Sequence, residues 1–403
     1  MSYRLTASRV GATVTAIYLL SAVLTGVSVL SKADLITSIV PLPSTAVVAL
    51  LAIAVLLPLG FVPLTKVSRF VAPAVLLGVW AVVLVVQPKV SALHKQGRGT
   101  DQGDCVIVGS SRLLHGQWPY DKALIWSHNP MSCGPTWLAL HAPFVATIGY
   151  PVTMAIFLTI AATLVTVLRG WRFASVFVTL IGLSPGFWLA YANGNDFVSF
   201  GLGVVVVLVL AGSDKRALRV LGAVLSIAVG QARALFVLLP AFALADRRSP
   251  GYMKILAAVA TVVSVLLLLV YYVWSPAKMV TDGPLHILGK FSSMLGVAVP
   301  PVVVAVAFVA LSIGLAVLVA RFPADVKTLI FSTLILVPLA LLSLVTGLRS
   351  SAGGFVRAIE LWEGVSWLTP LVCISAYTLT DHRTSSEAGS GVSAHDESGG
   401  PIS

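Results

Sequence analysis

Apolar runs recur along the whole of this chain, and their length and spacing restrict it to helices packed in a membrane. They lie near residues 10–30, 46–64, 70–86, 152–167, 174–191, 197–210, 218–229, 235–244, 255–273, 297–318, 329–348 and 362–379. A crossing helix needs roughly 20 apolar residues, and a backbone in hydrocarbon must satisfy its own hydrogen bonds, which a helix does within one segment. Composition agrees, with 58% of residues hydrophobic and only 10% charged, where a soluble domain carries roughly 25% charged residues. Mean hydropathy is +0.98. The expected fold class is an all-α integral membrane protein of about twelve transmembrane helices.

The basic residues set an orientation. Arg4 and Arg9 precede a first run longer than the apolar core of a cleaved signal peptide, so an uncleaved first span entering from the cytoplasm is expected. The cytoplasmic loops then hold Arg4, Arg9, Lys66, Arg69, Arg169, Arg172, Lys215, Arg216, Arg219, Arg247, Arg248, Lys254, Arg321, Lys327 and Arg383, or fifteen of the 26 basic residues. That is the positive-inside pattern. The formal net charge of +11 therefore reflects loops at membrane ends, and no basic face repeats at helical spacing as a nucleic-acid binder would need. Residues 1–383 read as one polytopic domain with a large outer loop at 88–151, and the Ser- and Gly-rich residues 384–403 read as a disordered cytoplasmic tail.

Two stretches do not fit simple spans. Residues 218–246 must cross twice in under thirty residues and are interrupted at Gly230, Gln231, Ala232 and Arg233. Broken half-helices are expected there, since irregular backbone at membrane depth is tolerated only inside protein or beside a polar cavity. Residues 137–148 are too short to cross and end at Gly149, Tyr150 and Pro151, which predicts a re-entrant or interfacial helix on the outer side.

Chemistry is concentrated in residues 100–137, a polar, turn-rich stretch holding Asp101, Asp104, Cys105, Arg112, His115, Trp118, Tyr120, Asp121, His128 and Cys133. In so apolar a chain such a cluster is where function is sought. Of the fifteen acidic residues, eight fall on the outer side or its interface: Asp34, Asp101, Asp104, Asp121, Asp196, Asp282, Glu360 and Glu363. No His and Cys spacing suggests zinc, and neither a Gly-rich phosphate loop nor a Gly-x-Ser-x-Gly elbow occurs.

The run 104–121, from Asp104 through Leu113, Leu114, His115 and Gly116 to Pro119, Tyr120 and Asp121, resembles the first large outer loop of the GT-C glycosyltransferases. Within them it is most similar to the polyprenyl-phosphate-mannose-dependent mannosyltransferases of actinobacteria. In that family the loop opens on an acidic residue, passes through a small amphipathic helix and closes with Pro-Tyr-Asp. The turn from Asn129 to Trp137 resembles the family's Pro-rich lead into an interfacial helix, and Asn193, Gly194, Asn195 and Asp196 resemble its Gly-Gln-Asn-Asp turn. Residues 230–248 are similar to its helix in which a basic residue precedes paired arginines, although Gln231 stands where a lysine is common and Arg233 follows two residues later. The matches cover much of residues 100–250.

The resemblance implies inverting transfer of a sugar, mannose by the nearest relatives, from a polyprenyl-phosphate donor to a lipid-linked or glycan acceptor at the outer face of the cell membrane. Such a transfer needs one base for the acceptor hydroxyl. Asp104 occupies the family's acidic position and is the first candidate, with Asp101 second or else a helix cap. Candidates for the donor phosphate are Arg112, Lys122, Arg233, Lys290, Arg349 and Arg357, with His128 or His286 as hydrogen-bond donors. Asn195 and Asp196 either orient acceptor hydroxyls or cap the following helix. Tyr120 and Trp118 either stack on a sugar or anchor at the interface. No cofactor is required, though Asp101 and Asp104 together are compatible with a divalent ion. Cys105 and Cys133 share the loop and are either bridged or free. The reading from another class is a polytopic transporter or lipid flippase, which the many spans, the broken helices and Arg233 also fit.

Overall fold

In the computed structural model the described residues are 64–93, 101–244 and 250–288, with isolated positions from 300 to 317, and all their regular structure is helical. The expected runs at 10–30, 329–348 and 362–379, almost all of 46–64, most of 297–318, and the tail lie outside the described residues, as do Lys290, Arg349 and Arg357.

Helix α1 (Leu64–Ala81) continues through a π-turn at Val82–Val86 into α2 (Gln87–Ala92). Then come α3 (Gln102–Leu114), α4 (Pro135–Thr147), α5 (Tyr150–Arg169), α6 (Trp171–Gly182), α7 (Pro185–Ala192) and α8 (Phe197–Ala211). The remainder is α9 (Arg216–Gly230), α10 (Leu239–Leu244), α11 (Gly251–Trp274) and α12 (Pro276–Thr281). Among the described residues three stretches are long and apolar enough to cross a membrane: Ser68–Ala92, Tyr150–Arg169 and Gly251–Trp274. At a rise of 1.5 Å per residue, the 20 residues of α5 span about 30 Å, the thickness of a hydrocarbon core.

The expected span at 174–191 is bent: α6 and α7 together are long and apolar enough to cross but meet at an angle of 77°, as a broken span or a re-entrant loop does. The cause is local, since Pro185 opens α7 and biases the preceding Ser184 away from helical backbone. The expected runs at 197–210, 218–229 and 235–244 form helices of 15, 15 and 6 residues, each shorter than a simple crossing. The break expected at 230–233 is present, with α9 ending at Gly230 before a 3-10 turn at Ala234–Phe236.

Burial distinguishes central from peripheral helices. In α8 nearly every side chain from Val198 to Leu210 is buried, so it forms the axis around which α5 and α9 pack. In α11 only Met253, Ala257, Ala260 and Ser264 are buried, a narrow seam at helical spacing. Its other faces expose Ile255, Val259, Val262, Leu266, Leu269 and Val273, as a helix lying in lipid does. Small residues let neighbours close up. A Cβ at Gly203 would stand 3.0 Å from Val229, and one at Gly222 would stand 3.1 Å from Leu210, which draws α8 and α9 together.

The two ends of the bundle differ in chemistry. One gathers Arg69, Arg169, Arg172, Lys215, Arg216, Arg219 and Lys254 at the starts of α1, α6, α9 and α11 and the end of α5. The other carries α3, α4 and the polar stretch between them, packed on the start of α5 and the end of α9. Helix α4, 13 residues long and held between α3, α5 and α9, has the length and apolar character expected of an interfacial helix.

Candidate functional site

At this polar end two helix interruptions meet. The turn between α7 and α8 presents Asp196, and the break after α9 presents Arg233, 37 positions further along the chain. Arg233 donates through Nη2 to Asp196 Oδ1 at 2.6 Å and through Nη1 to Oδ2 at 2.9 Å, a bidentate pair. Asp196 is wholly buried and Arg233 only 9% exposed. The guanidinium lies over the Phe197 ring at 4.1 Å, and Trp137 donates from Nε1 to Asp196 Oδ2 at 3.0 Å.

Burial opposes charge on both partners, and the surroundings offset it. Against that desolvation, Arg233, His141 and the Trp137 N–H together hold the Asp196 carboxyl below the ordinary carboxylate range. Helix ends add to this. Asp196 precedes the N-terminus of α8 and Arg233 follows the C-terminus of α9, so each charge meets the complementary end of a helix dipole. The pair therefore joins the two non-helical junctions, the turn before α8 and the break after α9.

Around the pair the segment before α4 is fastened to α9. Gln231 O accepts from Gly134 N at 2.7 Å, Gln231 Oε1 accepts from Thr136 N at 3.1 Å, and Gln231 Nε2 donates to Ser264 O at 2.7 Å. A lysine here could not accept the Thr136 bond, so the Gln231 amide has a structural task. Thr136 Oγ1 donates to Ile227 O at 3.2 Å. A Cβ on Gly134 would fall 2.5 Å from Gln231 O.

The candidate residues take distinct places. Asp101 stands at the N-cap position of α3 without capping it. Its carboxylate instead accepts from Ser127 Oγ and from Asn129 Nδ2, the latter at 2.7 Å, tying the far part of the loop to the start of α3. Asp104 is half-buried in the first turn of α3. Beside it, a Cβ on Gly103 would meet Gly194 O at 2.9 Å, so this turn rests on the turn that carries Asp196. Arg112 donates from Nε to Trp118 O at 2.6 Å. His128 is exposed with a φ of 55°, a left-handed backbone uncommon outside glycine.

Asn195 Oδ1 accepts from Phe197 N at 2.9 Å, a bond within the turn before α8, while its Nδ2 has no partner among the described residues; Asp196, at the N-cap position, makes no side-chain cap bond. Tyr120 is fully buried rather than presented as a stacking surface. It packs edge-on to Trp118 at 5.5 Å, and Trp118 packs edge-on to Trp274 at 5.1 Å. Lys122 pairs with Asp282 at 3.3 Å, and Asp282 O accepts from Met131 N at 2.7 Å, which secures the loop to the end of α12.

Cys105 and Cys133 are free thiols, both buried. Burial, and then Cys105 beside it, push the Cys133 thiol above its ordinary value. Among the described residues no three His, Cys, Asp or Glu side chains converge as a metal site would require.

Three residues of this centre escaped the sequence reading. Trp137 reads as one more apolar position of an interfacial helix, Gln231 as a substitution in a motif, and His141 as nothing at all. His141 is fully buried, stacked on Phe157 at 5.1 Å, and its Nδ1 donates to Trp137 O at 2.9 Å. Its Nε2 has no partner among the described residues. Burial lowers its pKa from 6.5 to about 4, so the ring is neutral and Nε2 holds a bare lone pair. A histidine amid apolar helix sequence was the available signal.

Comparison with protein-family models, curated proteins and solved structures finds no match for this chain.

Proposed function

We propose that this protein is an integral-membrane glycosyltransferase that moves a sugar, mannose by the motif resemblance, from a polyprenyl-phosphate donor to a lipid-linked or glycan acceptor. The observation that supports the reading is the ordered polar cap. Asp104 lies in the first turn of α3, that turn rests on the Gly194 turn through Gly103, and α4 lies beside them against the bundle. A carboxylate held at the interface between an apolar bundle and a polar cap is placed for a donor whose lipid tail stays in the membrane and whose sugar does not.

The reaction proposed is a single displacement. The acceptor oxygen attacks the anomeric carbon, the bond from that carbon to the phosphate oxygen breaks, and the lipid phosphate leaves with the electron pair. Asp104 takes the acceptor proton. Arg112 is the nearest of the described cations in sequence to that turn and is the first candidate to face the phosphate. The basic residues at the opposite end of the bundle support a cap that faces outward from the cell membrane.

A transporter is the second reading, and the Asp196–Arg233 pair between two helix breaks is the observation that favours it. One experiment separates the two. Purified wild type and Asp104→Asn are given polyprenyl-phosphate-mannose with an actinobacterial lipid extract, and release of polyprenyl phosphate is followed. Turnover by wild type and a loss of at least 100-fold in a folded Asp104→Asn are expected. No turnover with any polyprenyl-phosphate sugar would leave the transporter as the better reading. Turnover retained in the variant would move the base to Asp101.

A further inference from the structure

Cys105 follows Asp104 in α3, and Cys133 lies just before α4, 28 residues further on. The fold brings the two together. Cys133 N donates to the Cys105 sulfur at 3.3 Å, so the backbone at Cys133 lies directly against the Cys105 side chain. Their side chains are 6% and 0% exposed.

Cys133 also touches the buried ion pair. Its sulfur is 3.6 Å from Asp196 Oδ2, to which the thiol donates, and 3.8 Å from Arg233 Nη1, from which it accepts. A small apolar side chain would fill this space equally well, whereas two buried free thiols on adjoining segments at the loop-bearing end of the bundle add a chemistry that alanine lacks.

We infer that Cys105 and Cys133 form a reversible dithiol–disulfide pair that, when oxidised, locks the first turns of α3 onto the segment entering α4. Two S–H bonds break and one S–S bond forms. The two protons and two electrons pass to a disulfide oxidant, either a low-molecular-weight disulfide, which is reduced to two thiols, or a thiol oxidoreductase, which is reduced to its dithiol. The oxidised form loses the Cys133 donor to Asp196, which keeps its bonds from Trp137 and Arg233. The turn that carries Asp104 is thereby fixed relative to the ion pair, whatever reaction the site performs.

The test uses the full chain in detergent with Cys373→Ser, so that only this pair remains. The protein is reduced with dithiothreitol and then exposed to oxidised glutathione. Free thiols are alkylated after unfolding and mapped by peptide mass. Oxidation is expected to remove both alkylation sites together and to yield a cross-linked peptide lighter by two hydrogens, and dithiothreitol is expected to restore them. The thermal midpoint should rise by about 3–8 °C on oxidation. Cys105→Ala and Cys133→Ala should each abolish the redox dependence.

Two thiols still alkylated after oxidation, stable mixed disulfides with glutathione, or cross-links between molecules would each overturn the pairing. A cross-link that left both the midpoint and proteolysis of residues 116–133 unchanged would overturn the lock.

Discussion

At the scale of single residues, the Asp196–Arg233 pair is the commitment on which the polar end rests. Removing one partner strands a buried charge, a loss of about 3–5 kcal/mol, whereas removing both costs less than the sum. Arg233→Met and Asp196→Asn should therefore each lower the thermal midpoint in detergent, the double variant should lose less than the two losses added, and additive losses would argue against the pair. His141 supplies the pH dependence. Its folded pKa of about 4 lies below the ordinary 6.5, so the unfolded chain binds more protons between those values. The stability is complete above pH 6.5 and is lost as pH falls toward 4. Taking the cap from pH 7 to pH 5 should cost on the order of 2 kcal/mol. His141→Phe should flatten that slope in pH-scanned unfolding. Asp196 and Arg233 were both legible in sequence as charges out of place among apolar residues. That they pair with each other was not, because contact across 37 residues depends on how α8 and α9 pack.

At the scale of elements, glycines decide how closely the cap is seated. Gly134 lies against Gln231 O, and Gly103 lies against Gly194 O, with room for no Cβ at either contact. Gly134→Ala should push the segment before α4 away from α9 and cost about 1–3 kcal/mol. Limited proteolysis within residues 116–133 should accelerate, and an unchanged rate would mean that the backbone accommodates the methyl. The helix breaks were legible to different degrees. Gly230 with Gln231 and Arg233 reads as an interruption because charge and amide enter an apolar run. The bend between α6 and α7 was passed over, since residues 174–191 satisfy hydropathy as one span. Hydropathy sums composition and does not register that Pro185 redirects the backbone.

At the scale of the whole molecule, the described helices form a bundle with a basic end and a capped polar end, so its orientation can be tested directly. With Cys373→Ser as background, Ala123→Cys in the cap and Asp214→Cys at the basic end are both exposed positions. An impermeant maleimide should label the first on intact cells and the second only after permeabilisation, and the reverse pattern would invert the topology. The sequence by itself determined that this chain is helical and membrane-associated, because backbone satisfaction in hydrocarbon leaves few alternatives for runs of this length. It also located the polar stretch around Asp101 and Asp104, since unlike chemistry is conspicuous in a chain this apolar. Only the tertiary structure decided that Asp101 ties the loop together, that Gln231 fastens the segment before α4, and that Tyr120 is buried. It also decided that Cys133, Trp137, Asp196 and Arg233 form one centre. Those outcomes depend on which helix faces meet, and a periodic apolar pattern says which residues are buried without saying against what.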